Sequence, residues 1–219
     1  MTTHNKSGSG SLGVGEMLGW IRSIVGFGTR RPGYPQSLRV EQWLESQFRE
    51  FGLKEVRCEP VPVNYWEPRL TSLKFPSANF ESPCFPVPYT GWTNAPGIEA
   101  KAVFVGEGSA DEFQRVDVRG HIAVAEMRFA DLPGAALKRG AKFIQDANQS
   151  IPDGPLHVAN WLIRNFPAYY EAQRRGAVGF IGLLVDSPTD GCDFYVPYDG
   201  FLKGMPAVWV GRENAAQVR

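Results

Sequence analysis

The stretch Tyr169–Leu184, YYEAQRRGAVGFIGLL, limits the possible folds more than any other part of the chain. A helix-favouring run stops at Gly176, and a nearly unbroken apolar run follows. Glycine lets a helix end in a left-handed turn without a Cβ clash. Ala177 and Gly179 then let the chain pass close beneath the helix just left. Phe180 to Val185 is apolar enough to be a central strand buried on both faces. The junction predicts a helix layered on a sheet. It builds scaffold and contains no obvious catalytic group.

Other segments fill in this plan. Lys101–Val105, Gly120–Ala125 and Met205–Val210 are short apolar runs and read as buried strands. The helix before Gly176 is expected at about 163–175. Met17, Leu18, Ile21, Ile24 and Val25 follow a helical period and predict a helix over 12–26. Val40, Trp43, Leu44, Phe48 and Phe51 predict a second over 37–52, capped by Ser37, closed by Gly52 and facing a core. Lys54–Val63 reads as an edge strand around a proline, and Arg69–Phe75 as another strand. The polar run SADEFQRVDV is a helix or turn, with Asp111, Glu112 and Asp117 on a solvated face. Phe80–Pro96 is rich in proline and aromatics and marks a crossing between structural units. Residues 129–164 show few regular cues, and a segment of that length in a compact domain is often functional.

Composition excludes some functions. Lys plus Arg and Asp plus Glu are each 23 in 219 residues, so the chain has no electrostatic footprint for nucleic acid or an anionic membrane. Cys58, Cys84 and Cys192 are widely spaced, without a CxxC pair, and read as three reduced, partly buried thiols. Residues 1–11 are polar and Gly/Ser-rich, a disordered start. The following LGVGEMLGWIRSIVGF is broken by Glu16 and Arg22 and is too short to span a bilayer. A cytoplasmic protein without membrane segments is expected. Gly8, Gly10 and Gly13 spell GxGxxG, but no strand precedes them, so a dinucleotide cradle is not expected.

The order of the later motifs resembles the protease-associated (PA) domain. Three stretches carry the likeness: Val118-Arg-Gly120-His-Ile122-Ala-Val124, then Ala172-Gln-Arg-Arg-Gly176-Ala177-Val-Gly179-Phe-Ile181, then Met205-Pro206-Ala207-Val208-Trp-Val210. Upstream, Gly28-Thr29-Arg30, Phe51-Gly52-Leu53 and Val56–Val63 resemble the N-terminal segment of di-zinc aminopeptidases of the glutamate-carboxypeptidase and transferrin-receptor-like clan. The two likenesses cover residues 20–130 and 165–215. They imply an α+β chain: a PA-like mixed β domain with one main helix, preceded by two helices and strands of an incomplete α/β peptidase domain. The implied layout is a start at 1–11, a peptidase portion at 12–78 and a PA-like domain at 79–219 with its long insert at 129–164.

In that clan, two zinc ions bound by a His-x-Asp stretch, a Glu-Glu pair and further ligands activate a water, and all of these ligands lie after the PA insert. None of His4, His121 and His157 precedes an Asp by two residues, and the chain has no Glu-Glu pair. His121 reads as a strand-edge surface residue. The resemblance therefore implies that this chain binds no zinc and catalyses nothing itself, that two zinc ions belong to a downstream peptidase core, and that a peptide or small amide is the full-length substrate. The role left to residues 1–219 is to shape or gate the cleft. The alternative is a stand-alone PA-type protein-interaction module. His157, Trp161 and Arg30 are the candidates for a substrate lip, His157 for hydrogen bonding near neutral pH and Trp161 for its flat apolar face. The apolar stripes of the first two helices imply a homo-oligomer.

Overall fold

The computed structural model describes residues 13–156 and 163–219, in two compact units divided between Tyr65 and Trp66. In the first unit, helix α1 spans Val14–Gly26 and α2 spans Pro35–Glu50. Proline suits the first helical position because its missing N–H would be unpaired there anyway. The start at Pro35 places Ser37 inside the helix, where its hydroxyl bonds Glu41 at 3.1 Å instead of capping the end. Gly52 closes α2 as expected. Its φ is +80°, its N–H reaches Arg49 O at 2.9 Å, and Leu53 N–H reaches Phe48 O at 3.1 Å.

The expectation that the α2 stripe faces a core is corrected. Val40 is buried, but Phe48 and Phe51 remain exposed, as do Ile21 and Val25 of α1. Ring contacts between the helices include Trp20 on Phe51, with centroids 5.2 Å apart. Residues 54–63 form no strand either. Pro60 and Pro62 donate no ladder bonds, and an extended segment becomes a strand only when a neighbour pairs with it.

The second unit opens with an antiparallel hairpin of β1 (Leu73–Phe75) and β2 (Phe80–Ser82), so only the end of the expected 69–75 strand is paired. There follow β3 (Phe85–Pro86), β4 (Ala102–Phe104), α3 (Ala110–Arg115) and β5 (Ile122–Glu126). Then come β6 (Leu132–Pro133), α4 (Gly134–Gly140), β7 (Pro155–Leu156), α5 (Pro167–Arg174), β8 (Gly179–Leu183), β9 (Ala207–Val210) and α6 (Arg212–Val218). The main sheet has the order β3-β9-β8-β5-β4, with β4, β5, β8 and β9 parallel and β3 antiparallel at one edge. The chain is therefore a mixed α and β structure, as expected at that level.

Alternation along the strands sends side chains to two cores. Ala123 and Ala125, Phe180 and Leu184, and Ala207 and Trp209 pack with Phe113 of α3 and Ala168, Tyr169 and Ala172 of α5. On the opposite face Val124, Ile181, Leu183 and Val210 pack with Ala215 of α6 and with Leu73 and Phe75 of β1. At the junction, Gly176 has φ +85°, and Ala177 N–H reaches back to Ala172 O at 3.0 Å. Strand β8 is buried throughout between β5 and β9. A Cβ on Gly182 would fall 2.2 Å from Trp209 Cζ3, so the bare glycine is what seats the indole. Helix α5 begins at Pro167, later than the expected 163, because the preceding residues are used in the base of the long segment.

Candidate functional site

In open α/β sheets ligands bind beyond the carboxyl ends of the strands, at a point where the strand order reverses. Here β4, β5, β8 and β9 lie side by side in chain order, so the parallel part of the sheet has no such reversal. What rises from its carboxyl edge is the segment between β5 and α5, and the charges at its base are paired.

Glu126, the last residue of β5, is buried. It accepts from Arg128 Nη2 at 2.7 Å and from Arg219 Nη1 at 2.8 Å. Glu107, just past β4, accepts from Arg128 Nε at 2.9 Å and from Arg164 Nη2 at 3.1 Å. Asn165 joins the two strand ends. Its amide donates to Glu107 O at 2.6 Å and Glu126 O at 2.8 Å, and its oxygen accepts from Arg128 N–H at 2.9 Å. Arg164 N–H reaches Arg128 O at 2.7 Å, and Phe129 bridges Ile163, which closes the segment at its root.

Beyond the root, the segment read as lacking regular cues carries structure of its own. β6 pairs β7, Leu132 opposite Leu156, with α4 between them, and Lys138 Nζ meets Asp153 at 2.9 Å. Asp146 accepts from Ser150 N–H at 2.7 Å and Ile151 N–H at 2.9 Å, and these backbone bonds hold its carboxyl below the usual carboxylate range. Phe143, 81 % exposed, and Ile144 stand on its outer part. Among its described residues the segment is a loop with a charged root and exposed apolar side chains, suited to touching a ligand.

Of the candidates from the sequence, His157 and Trp161 lie outside the described residues, as do His4 and the start at 1–11. Arg30, in the first unit, donates Nη1 to Ile24 O at 2.8 Å and to Gly28 O at 3.0 Å, a cation on the carboxyl end of α1. Glu112, on the face read as solvated, also has structural partners. Its carboxylate closes a capping box with Ser109 and also accepts from Glu107 N–H at 3.1 Å, which shapes the loop after β4. The Ser109 hydroxyl, first, and the backbone donors lower its pKa. Arg174 and Arg175, read as solvated, both bond Glu171. Sequence reasoning missed Glu107, Glu126, Arg128 and Asn165. The signal for Glu107, Glu126 and Arg128 was position at or just past strand ends, and Asn165 stands just before α5.

Among the described residues no three His, Cys, Asp or Glu side chains group to hold a metal ion, so these residues do not fit a zinc site. No helix of the described residues is long and apolar enough to cross a membrane.

No family model and no curated protein sequence matches the chain. Among solved structures, BSAP, a zinc aminopeptidase from Bacillus subtilis, aligns with a TM-score of 0.54 at 16% identity, covering 90% of this chain and 39% of that one. A second structure of the same enzyme gives the same values. An aminopeptidase from Aneurinibacillus sp. strain AM-1 aligns at a TM-score of 0.49 and 18% identity, over 90% of this chain and 38% of that one. The likeness to BSAP shows a shared fold. The chain spans 39% of that enzyme's length.

Proposed function

We propose that residues 1–219 are the non-catalytic N-terminal and PA-domain portion of a zinc-dependent aminopeptidase-like metallohydrolase, shaping or gating its substrate cleft. The observation that carries this reading is the BSAP-like fold over nine-tenths of the chain, joined to a segment pinned at the carboxyl edge of the sheet. A loop with a fixed root and an exposed apolar outer part suits the lip of a cleft. In this reading the zinc pair and the general base come from residues downstream, the substrate is a peptide or small amide, and the enzyme is a cytoplasmic homo-oligomer. Exposed stripes on α1 and α2 support the assembly. His157, Trp161 and Arg30 remain its candidate lip residues.

The alternative, a stand-alone PA-type interaction module, has support in exposed Trp92 and Phe201, apolar side chains without an assigned role. One comparison separates the two. The 219-residue chain supplied with zinc is expected to hydrolyse no aminoacyl anilide, whereas a chain extended through its following reading frame is expected to hold zinc and turn the anilide over. A reading frame without a His-x-Asp segment after Arg219 would leave the interaction module as the answer.

A further inference from the structure

We propose that Cys84 and Cys192 form a reversible intrachain disulfide that fastens edge strand β3 to the loop after β8. The two residues are far apart in sequence, and the sheet brings them to one end of β9. Phe85 pairs Trp209 and Pro86 pairs Val208, so the same register carries Cys84 to a place across from Val210. Gly211 follows, and it lies against the turn that leads into Cys192. A Cβ there would fall 2.2 Å from Asp190 O and 2.8 Å from Gly191 C.

On the other side of Cys192, Tyr195 meets Phe85 with ring centroids 4.6 Å apart, and Phe194 meets Trp209 at 5.8 Å. Arg212 holds the loop, with Nε on Asp190 Oδ1 at 3.0 Å and Nη1 on Ser187 O at 3.0 Å. Cys84 itself packs on the face of Val208 and Val210, and the turn into Cys192 packs on Gly211, the next residue along β9's exit. Burial first, and then the charge of Cys192, raise the Cys84 thiol. Both are free and partly buried. Cys58 is different, exposed in the other unit and bonded to Glu45 at 3.4 Å.

The oxidant is a small-molecule disulfide such as oxidised glutathione. One protein thiolate attacks it, forming a mixed disulfide and releasing one glutathione thiolate. The second protein thiolate then displaces the other glutathione and forms the Cys84–Cys192 bond. Two S–H groups are lost, two glutathione molecules are made, and the protein gives up two electrons. Burial pushes the Cys84 thiol up to about 11 and raises Cys192 too, so thiolate is scarce near neutrality. Exchange should therefore be slow at pH 7 and rise by about tenfold per pH unit toward alkaline conditions.

The test uses the full chain carrying Cys58→Ala, an exposed position, treated with oxidised glutathione at pH 9 and then alkylated. Peptide mass mapping without reduction should find Cys84 joined to Cys192, with no retained glutathione. The melting temperature should rise by roughly 5 °C or more and fall back with dithiothreitol. Adding Cys192→Ala should leave a stable glutathione adduct on Cys84. Glutathione adducts on both cysteines of the parent chain, crosslinks between chains, or both thiols still free after prolonged oxidation would each overturn the proposal. The same mapping on the chain with its native Cys58 guards against misfolding of the variant.

Discussion

The hydroxyl of Tyr169 closes a two-way contact with Met205, donating to its carbonyl at 2.7 Å and accepting from its N–H at 3.1 Å. One side chain of α5 thus satisfies both backbone groups of the residue that leads into β9. Tyr169→Phe strands the Met205 N–H, while the Met205 carbonyl still accepts from Gly91 N–H at 3.2 Å, and should cost about 1–3 kcal/mol by urea unfolding at pH 7. Burial pushes the Tyr169 phenol up to about 12. The folded state then holds its proton more tightly than the unfolded chain, so this contribution is intact below pH 10 and lost as pH rises from 10 to 12. The stability gap between parent and variant should narrow over that interval. A constant gap would contradict the assignment.

Two glycines should fail for different reasons. At Gly176 a Cβ meets nothing closer than Arg119 Cγ at 3.5 Å, so Gly176→Ala pays only for its left-handed backbone, about 1–2 kcal/mol. Gly182→Ala drives a methyl into the Trp209 ring, which should cost at least about 2–3 kcal/mol and alter the near-ultraviolet circular dichroism. Equal costs with an unchanged spectrum would argue against the packing at Gly182.

Asn165→Ala should loosen the root of the 129–164 segment. The change removes two donated bonds and leaves Arg128 N–H unmatched. Hydrogen exchange should quicken at least about tenfold across residues 130–156, with β8 protected until the whole unit opens. Uniform acceleration would show that Asn165 supports the sheet as a whole.

Glu126→Gln tests the buried carboxylate at the end of β5. The loss should be about 1–2 kcal/mol, below the 3–5 kcal/mol of a fully buried pair, because Arg219 stays 59% exposed. Added salt should shrink the difference, and a salt-independent loss would point to packing instead of charge.

His157→Ala and Trp161→Ala are the kinetic test of the proposed lip. In the full-length enzyme they should raise KM, or lower kcat/KM, by more than they change the melting temperature. Unchanged kinetics with intact folding would remove the segment from the substrate site.

The legible parts of the fold were those governed by local chemistry. Gly176 and Gly52 end helices because their backbone demands it, and Phe180–Val185 had to be buried. Ser37 was misplaced because Pro35 sets the first helical position just upstream. Val56–Val63 alternates like a strand, but alternation cannot supply a partner. The ladder Leu132–Leu156 left no mark because two-residue strands are too short for a period. The candidate site was hardest to read. Glu107, Glu126 and Asn165 become one cluster only after parallel pairing aligns the ends of β4 and β5.

The uneven covering of the main sheet has a topological consequence. Helices α3 and α5, which lie on the links joining its parallel strands, both pack on one face, so that face is threaded into the sheet itself. The other face is covered by the β1–β2 hairpin and α6, which come before the first strand of the sheet and after the last. Neither is trapped between strands, so each can leave without unpicking the sheet. The chain has in effect one sewn-in face and one with a removable lining, and a competing surface would have to displace only the lining.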